Sequence, residues 1–305
     1  MAIPKISILL PVRNAAAYLP EAIASLEAQT FRDWECRAIN DGSCDGSAEI
    51  LAKWQARDAR VRILSGGNRG IVHALNLGLA EAMAPLIARM DADDRALPQR
   101  LEQQIAFMSE HPDVVTCGTG ARMIDPTGCA LCPVHPPVTH DDIVKKLNEG
   151  NGGALIHPSI IARTATLRAL GGYREAYCHV EDYDLYLRLC EAGQLANLSE
   201  ILLDYRQHPA SANVVRRDQQ RGLRLQALND YRQRQGQPRL AHLEFGRAHL
   251  HTLTDLYADW SMKAARADNR AVAYHYAIRA IAREFWLPKR WKLLWHVHAL
   301  GRNKL

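Results

Sequence analysis

Short apolar runs recur along the first two thirds of the chain, separated by longer stretches in which apolar residues return every three or four positions. The runs Ile6–Val12, Glu35–Ile39, Val61–Leu64, Pro85–Met90, Val114–Cys117 and Ile201–Tyr205 have the length and character of buried strands. The stretches Tyr18–Gln29, Ser47–Arg57, Ile71–Ala82 and Arg100–Ser109 have the helical period. Asp45 and Ser47 offer a start signal for one of these helices, and Pro98 for another. Short strands alternating with helices predict an α/β domain: a largely parallel sheet with helices on both faces.

From about Val214 the pattern changes to long stretches rich in Arg, Ala and Leu, with no strand period. "LYADWSMKAARADNRAVAYHYAIRAIAREF" predicts a helical hairpin that turns near Asp268–Asn269. After Pro288 a further helix would carry Trp291, Leu294, Trp295 and His298 on one face, with Lys289, Arg290 and Lys292 elsewhere around it. The chain is therefore expected to divide into an α/β domain over 1–213 and a helical C-terminal region over 214–305.

Parallel strands give the polar residues a common destination. Ile6–Val12 runs into Arg13 and Asn14, Glu35–Ile39 into Asn40 and Asp41, and Pro85–Met90 into Asp91 and Asp93. All three clusters would emerge at the carboxyl edge of the sheet, where open α/β sheets bind ligands. A strand-end aspartate often only caps a turn or helix, but three matching strand ends are harder to explain that way. The densest cluster is "RMDADD", with Asp91, Asp93 and Asp94 close enough to repel one another unless a cation lies between them. A calcium loop starting at Asp91 would need glycine at its sixth position, where Ala96 stands. What remains is a site for a hard divalent ion shared with a phosphate-bearing ligand, and magnesium or manganese suits it.

Composition narrows the class without changing this picture. The 305 residues are 48% hydrophobic and 23% charged, ordinary for a globular protein. Uncharged apolar runs fall short of the roughly 18 residues of a spanning helix, and no signal-peptide pattern opens the chain. Seven scattered cysteines read as reduced thiols in a cytoplasmic protein. Cys129, Cys132 and His135, with Cys117 upstream, lie in a proline-rich loop that lacks the second half-site of a zinc centre. The net charge of +5 hides an asymmetry: residues 1–213 carry 20 Lys/Arg against 26 Asp/Glu, and residues 214–305 carry 18 against 7. Different jobs for the two parts are expected.

Several motifs then occur in a telling order: "SILLPVRN", "AINDGSCDGS", "NRGIVHALNLGL", "ARMDADD" with "LPQRLEQQ", "HPSIIARTATLRALGGYRE", "VEDYDLYLRL" and "LLDYRQHPAS". Together they resemble the family 2 glycosyltransferases of the GT-A fold, over about residues 5–213. The resemblance implies a Rossmann-like nucleotide-binding sheet and an inverting sugar transfer. It implies donor contacts from Pro11, Arg13, Asn14, Asp41, Asn68, Arg89, Asp91 and Asp94, and Asp93 as direct ligand of Mn2+ or Mg2+. His208 resembles a histidine near the metal and diphosphate, and Asp182 the family's base, with Glu181 its neighbour on the substrate.

The chemistry of these residue types agrees with such roles. A carboxylate only accepts hydrogen bonds, so Asp41 suits the ring N–H of uracil or thymine and favours a UDP- or dTDP-sugar. Asp182 would remove the proton of the attacking hydroxyl from the start of a helix whose apolar face is Leu185, Tyr186 and Leu189. Arg89 either offsets the aspartates' repulsion or holds a phosphate; His157 either shapes the acceptor pocket or packs. Two positions depart from the family's pattern: Arg13 stands where many relatives carry an aromatic residue, and Asn40 replaces the first acid of an Asp-Asp pair.

The expected partners are a nucleotide-sugar donor and a glycan or lipid-linked acceptor in surface-polysaccharide assembly. A nucleotidyltransferase is the rival enzyme, but "PVRNAAAY" lacks the glycines of a triphosphate loop. A non-catalytic relative would have lost Asp93 or Asp182, and both are present. The basic, tryptophan-bearing tail fits two readings, adsorption to an anionic membrane on its inner face or an ordinary helical cap with its tryptophans in the core. No nucleic-acid motif accompanies it, so nucleic acid is not an expected partner.

Overall fold

The first apolar run forms β1 (Ile6–Val12), with all seven residues buried. Helix α1 (Leu19–Glu27) leads to β2 (Trp34–Asn40), α2 (Ser47–Arg57) to β3 (Val61–Ser65), and α3 (Ile71–Glu81) to β4 (Leu86–Arg89). This computed structural model describes residues 3–210, 217–243 and 252–300. β1 pairs in parallel with β2 and with β4, and β2 in parallel with β3. The register aligns Val12 with Asn40 and Asn40 with Ser65, while Leu9 aligns with Arg89. Four strands thus end along one carboxyl edge. Gly78 of α3 lets that helix lie close on the sheet, since an added Cβ would come within 2.9 Å of Ile39 Cδ1 and 3.0 Å of Leu9 Cδ2.

The second half of the sheet is built differently. It contains β5 (Arg95–Ala96), then α4 (Arg100–Glu110), β6 (Val114–Ile124), β7 (Ala130–Val134), α5 (His140–Asn148), β8 (Ile161–Arg163), α6 (Thr164–Ala169), α7 (Glu181–Ala192) and β9 (Gln194–Arg206). The strand order is β3-β2-β1-β4-β8-β6-β9-β5, with β7 on β6. β8 runs antiparallel to both β4 and β6, and β5 antiparallel to β9. The expected α/β class and parallel sheet hold, with an antiparallel extension beyond β4. β6 runs seven residues further than its apolar pattern because Gly118 and Gly120, which look like turn residues, are close-approach positions. A Cβ on Gly118 would lie 2.1 Å from Asn197 Oδ1, and one on Gly120 would lie 2.9 Å from the Glu200 carbonyl oxygen.

The chain forms two compact units, which do not divide at residue 213/214. The first comprises Met1–Ala121, His135–Asp204 and Asp218–Glu244; the second comprises Arg122–Val134, Tyr205–Arg217 and Phe245–Leu305. The helix Arg217–Arg234 therefore groups almost wholly with the first unit. Its Ala227, Leu228 and Tyr231 join the core that contains Leu185 and Leu189 of α7. In the second unit the predicted hairpin forms from helices Leu253–Arg266 and Arg270–Arg283. Leu256, Trp260, Ala264 and Tyr276 of that hairpin bury against Leu131 of β7. Its first helix opens on a capping box of Thr252 and Asp255. A final helix, Pro288–Leu300, buries Arg290, Leu293 and Val297.

Candidate active site

The carboxyl edge of β1, β2 and β3 carries a tightly hydrogen-bonded cluster of loops. Asp41 follows β2 with its backbone N–H donated to the Val12 carbonyl at 2.9 Å, which keeps it level with the end of β1. Its buried carboxylate accepts from Arg69 N at 2.8 Å and Gly70 N at 2.9 Å, just ahead of α3. The expected base-binding aspartate is therefore also the anchor of the loop 66–70. Gly66 is needed there, because an added Cβ would lie 2.9 Å from Asp41 Oδ1. Exposed Asn68 takes φ +59°, beside Gly42 at φ +72°. Asn14, at φ +50°, accepts from Cys44 N at 2.9 Å and so ties the loops after β1 and β2 together. Arg13 is exposed, with Nη1 3.9 Å from the Asp41 carboxylate. Pro11 is buried within β1 opposite Ile39.

β4 delivers the acids. Met90 N still donates to the Leu9 carbonyl at 3.1 Å, and Asp91 follows at once. Asp91, Asp93 and Asp94 bring ligand oxygens within 4.8 Å of one another, with Asp94 buried and the other two half-buried. Arg89, buried in the last position of β4, forms a short ion pair with Asp91. Its Nε has no hydrogen-bond partner among the described residues. The first of the two roles expected for Arg89, offsetting the aspartates' repulsion, is thus visible directly. Burial raises the Asp91 proton affinity; Arg89 opposes this, and the charges of Asp93 and Asp182 add to it.

Asp182 reaches the same place from the other half of the unit. α7 begins at Glu181, and Asp182 Oδ1 accepts from Tyr183 N at 2.7 Å in the first turn. Burial raises the pKa of Asp182, against the pull of that N–H, Arg224 and Arg89. Glu181 is deeper. Its Oε2 has no hydrogen-bond partner among the described residues, and burial, reinforced by the Asp182 charge, pushes its pKa up to about 7. The turn that carries both acids is rigid. Buried Asp184 accepts from Arg174 Nε at 2.9 Å and Arg188 Nε at 3.0 Å, and Tyr183 donates its hydroxyl to the Leu147 carbonyl at 2.6 Å.

His157 packs with this cluster: its Nε2 lies 3.0 Å from the Tyr173 hydroxyl, and its ring meets the edge of Tyr186. Burial and the nearby Arg89 charge hold its pKa well below 6.5, so it is a neutral imidazole. His208 lies past β9 in the second unit, half-buried. The structure thus brings Arg89, Asp91, Asp93, Asp94, Glu181, Asp182 and His157 together in the first unit.

Sequence reasoning missed two supports. Arg100 Nη2 donates to the Arg89 carbonyl at 2.8 Å, and Gln104 Nε2 donates to the carbonyls of Cys117 at 2.7 Å and Ser159 at 2.9 Å. These residues clamp the end of β4 to the strands beyond it. The available signal was their position: they sit one turn apart on the apolar side of α4, with Leu101 and Met108. Tyr173 and Tyr186 were also not singled out as part of the site.

The sequence model of "Glycosyl transferase family 2" matches residues 7–153. The O-antigen biosynthesis glycosyltransferase WbnJ of Escherichia coli is 34% identical over 210 residues, covering 68% of this chain and 81% of its own length. Among solved structures, S. aureus TarS 1-349 in complex with UDP-GlcNAc superposes with a TM-score of 0.60 at 15% identity, covering 92% of each chain. The mannosyltransferase PcManGT from Pyrobaculum calidifontis, in complex with GDP-Man and Mn2+, gives 0.55 at 16% identity over 99% of this chain and 81% of that one. At these identities the two structures establish a shared fold.

Proposed function

The chain belongs to glycosyl transferase family 2, and from that premise we propose that it transfers a sugar, with inversion, from a nucleotide-diphosphate sugar to a hydroxyl of a glycan or lipid-linked acceptor in surface-polysaccharide assembly. The observation that carries this is the meeting of two acidic elements at one edge of the sheet: Asp91, Asp93 and Asp94 after β4, and Glu181 with Asp182 at the start of α7. The role of WbnJ in O-antigen biosynthesis supports the polysaccharide context. UDP-GlcNAc on TarS and GDP-Man on PcManGT support a nucleotide-sugar donor. A UDP- or dTDP-sugar is the favoured donor, from the acceptor-only chemistry of Asp41. Transfer on the cytoplasmic side of a membrane fits these substrates.

The aspartate cluster fits a divalent ion on chemical grounds. Three carboxylates within 4.8 Å are a hard-oxygen set that a divalent ion can share, with the Arg89 guanidinium paired to Asp91 beside them. Asp93 would bind Mn2+ or Mg2+ directly, with Asp91 and Asp94 beside it. A bound ion would supply charge stabilisation to the departing diphosphate.

The chain's own groups do the rest. Asp182 has one oxygen occupied by Tyr183 N and the other available to an acceptor hydroxyl. Its raised proton affinity makes it a stronger base than an ordinary aspartate. As that oxygen takes the proton, the acceptor oxygen forms its bond to the anomeric carbon. The sugar–phosphate bond breaks on the opposite face and its electron pair leaves with the nucleoside diphosphate. Glu181, protonated up to about pH 7, can donate a hydrogen bond to a sugar hydroxyl. Asp184, held by Arg174 and Arg188, fixes the turn that aligns both acids.

The test is thermal stabilisation by UDP, dTDP, GDP and CDP, with and without Mn2+, beside an Asp93→Asn variant. Metal-dependent stabilisation by a pyrimidine diphosphate, lost in the variant, is the expected result. Stabilisation by none of the four would remove the nucleotide site from the argument.

A further inference from the structure

Six tryptophans are present, and they divide sharply. Trp34, Trp54 and Trp260 are core residues at 0–2% exposure. Trp286, Trp291 and Trp295 are 62%, 53% and 67% exposed, and Phe285 beside them is 64% exposed. We propose that this aromatic face of the helix Pro288–Leu300, together with the Phe285–Trp286 turn before it, docks on the surface of an anionic lipid bilayer.

The rotation of the helix decides which residues face out. Arg290, Leu293 and Val297 point into the second unit. Arg290 fixes that rotation, with Nη2 2.7 Å from Asp255 and Nε 2.6 Å from Glu284. Residues three, four and seven apart share a helix face, so Trp291, Trp295 and His298 are left on the opposite side, all exposed. Trp291 is held there: its Nε1 donates to the Phe285 carbonyl at 2.8 Å, which keeps the helix and the preceding turn in one patch. The reading of this helix as an ordinary cap with core tryptophans therefore does not hold. Large exposed aromatic groups gathered in one place mark an interaction surface rather than scattered surface residues.

Charge selects the occupant. Arg283, Lys289 and Lys292 are exposed around the patch and have no carboxylate partner among the described residues. The one acid between residues 270 and 300 is Glu284, and Arg290 occupies it. A ring of unpaired cations around tryptophans matches the anionic headgroups and the interfacial layer below them, where indole rings partition. No helix among the described residues is long and apolar enough to cross a membrane, so the contact is with the surface. Membrane docking is independent of the donor chemistry and stands or falls apart from it.

The experiment is sedimentation of the full chain with vesicles of phosphatidylcholine alone or mixed with phosphatidylglycerol, read with tryptophan emission. Wild type is expected to bind the anionic vesicles with a blue shift and to bind neutral vesicles much more weakly. W291A/W295A should lose about tenfold or more in vesicle affinity. K289Q/K292Q should lose about fivefold for each cation removed. All four side chains are exposed, so circular dichroism and melting of the variants should match wild type, and W295A alone provides a milder version. Absence of binding to anionic vesicles at low salt would overturn the proposal, as would equal binding by the tryptophan variant. A wild-type dimer that dissociates in W291A/W295A would overturn it too, by assigning the face to a second copy of the chain.

Discussion

Glu181→Gln isolates the cost of keeping an acid where Glu181 sits. The side chain is 9% exposed, its Oε2 has no partner among the described residues, and its pKa rises from 4.5 to about 7. Each tenfold change in an ionisation constant is about 1.4 kcal/mol, so ionising Glu181 in the folded protein costs about 3 kcal/mol relative to the unfolded chain. The sign follows from which state binds the proton more tightly. A carboxyl with a raised folded pKa contributes fully below about pH 4.5, and that contribution is lost as pH rises through about 7. Glutamine keeps the shape and cannot ionise. Its variant should therefore gain on wild type by about 1 kcal/mol at pH 5 and about 3 kcal/mol at pH 8, apart from a constant offset for the amide. Urea unfolding of both proteins at pH 5, 6, 7 and 8, without nucleotide, reads that difference. A gap that stays flat, or that narrows as pH rises, would refute the reasoning and return Glu181 to the ranks of solvated carboxylates.

Asp182→Asn should lower kcat by about a hundredfold or more while leaving metal-dependent stabilisation by the nucleotide intact, because the base acts only on the acceptor. Retained turnover with normal kcat would move the base elsewhere. Gly66→Ala should cost about 1–3 kcal/mol in thermal unfolding and weaken nucleotide binding, since the new methyl would press on Asp41 at 2.9 Å; unchanged melting and nucleotide affinity would mean that the loop 66–70 shifts freely.

The aspartate site shows how far local pattern reaches. Asp91, Asp93 and Asp94 call for positive charge among them by mutual repulsion alone, and the apolar run ahead of them fixes their place at a strand end. Arg89 was legible as an anomaly, a charge within an apolar run, with two roles left open: offsetting the aspartates or holding a phosphate. Its pairing with Asp91 depends on burial of the guanidinium beside the cluster. The length of β6 beyond Cys117 was not legible for a related reason, since Gly118 and Gly120 follow the apolar run. Glycine is ambiguous between a turn and a close approach, and only the neighbouring β9 distinguishes the two.

By itself, the sequence determined the elements whose signal lies within a few residues. The four parallel strands and their helices have continuous apolar runs or a 3.6-residue period, and the helical hairpin and the tail helix carry the same period. It also determined the family, through motifs in a fixed order. Tertiary structure decided what depends on distant neighbours. It grouped the helix Arg217–Arg234 with the first unit, made Glu181 the deeper of two adjacent acids, and turned the tail's tryptophans outward. Periodicity states that a helix has two faces. Which face is buried is set by the surfaces it meets, here by Arg290 reaching Asp255 across 35 residues of sequence.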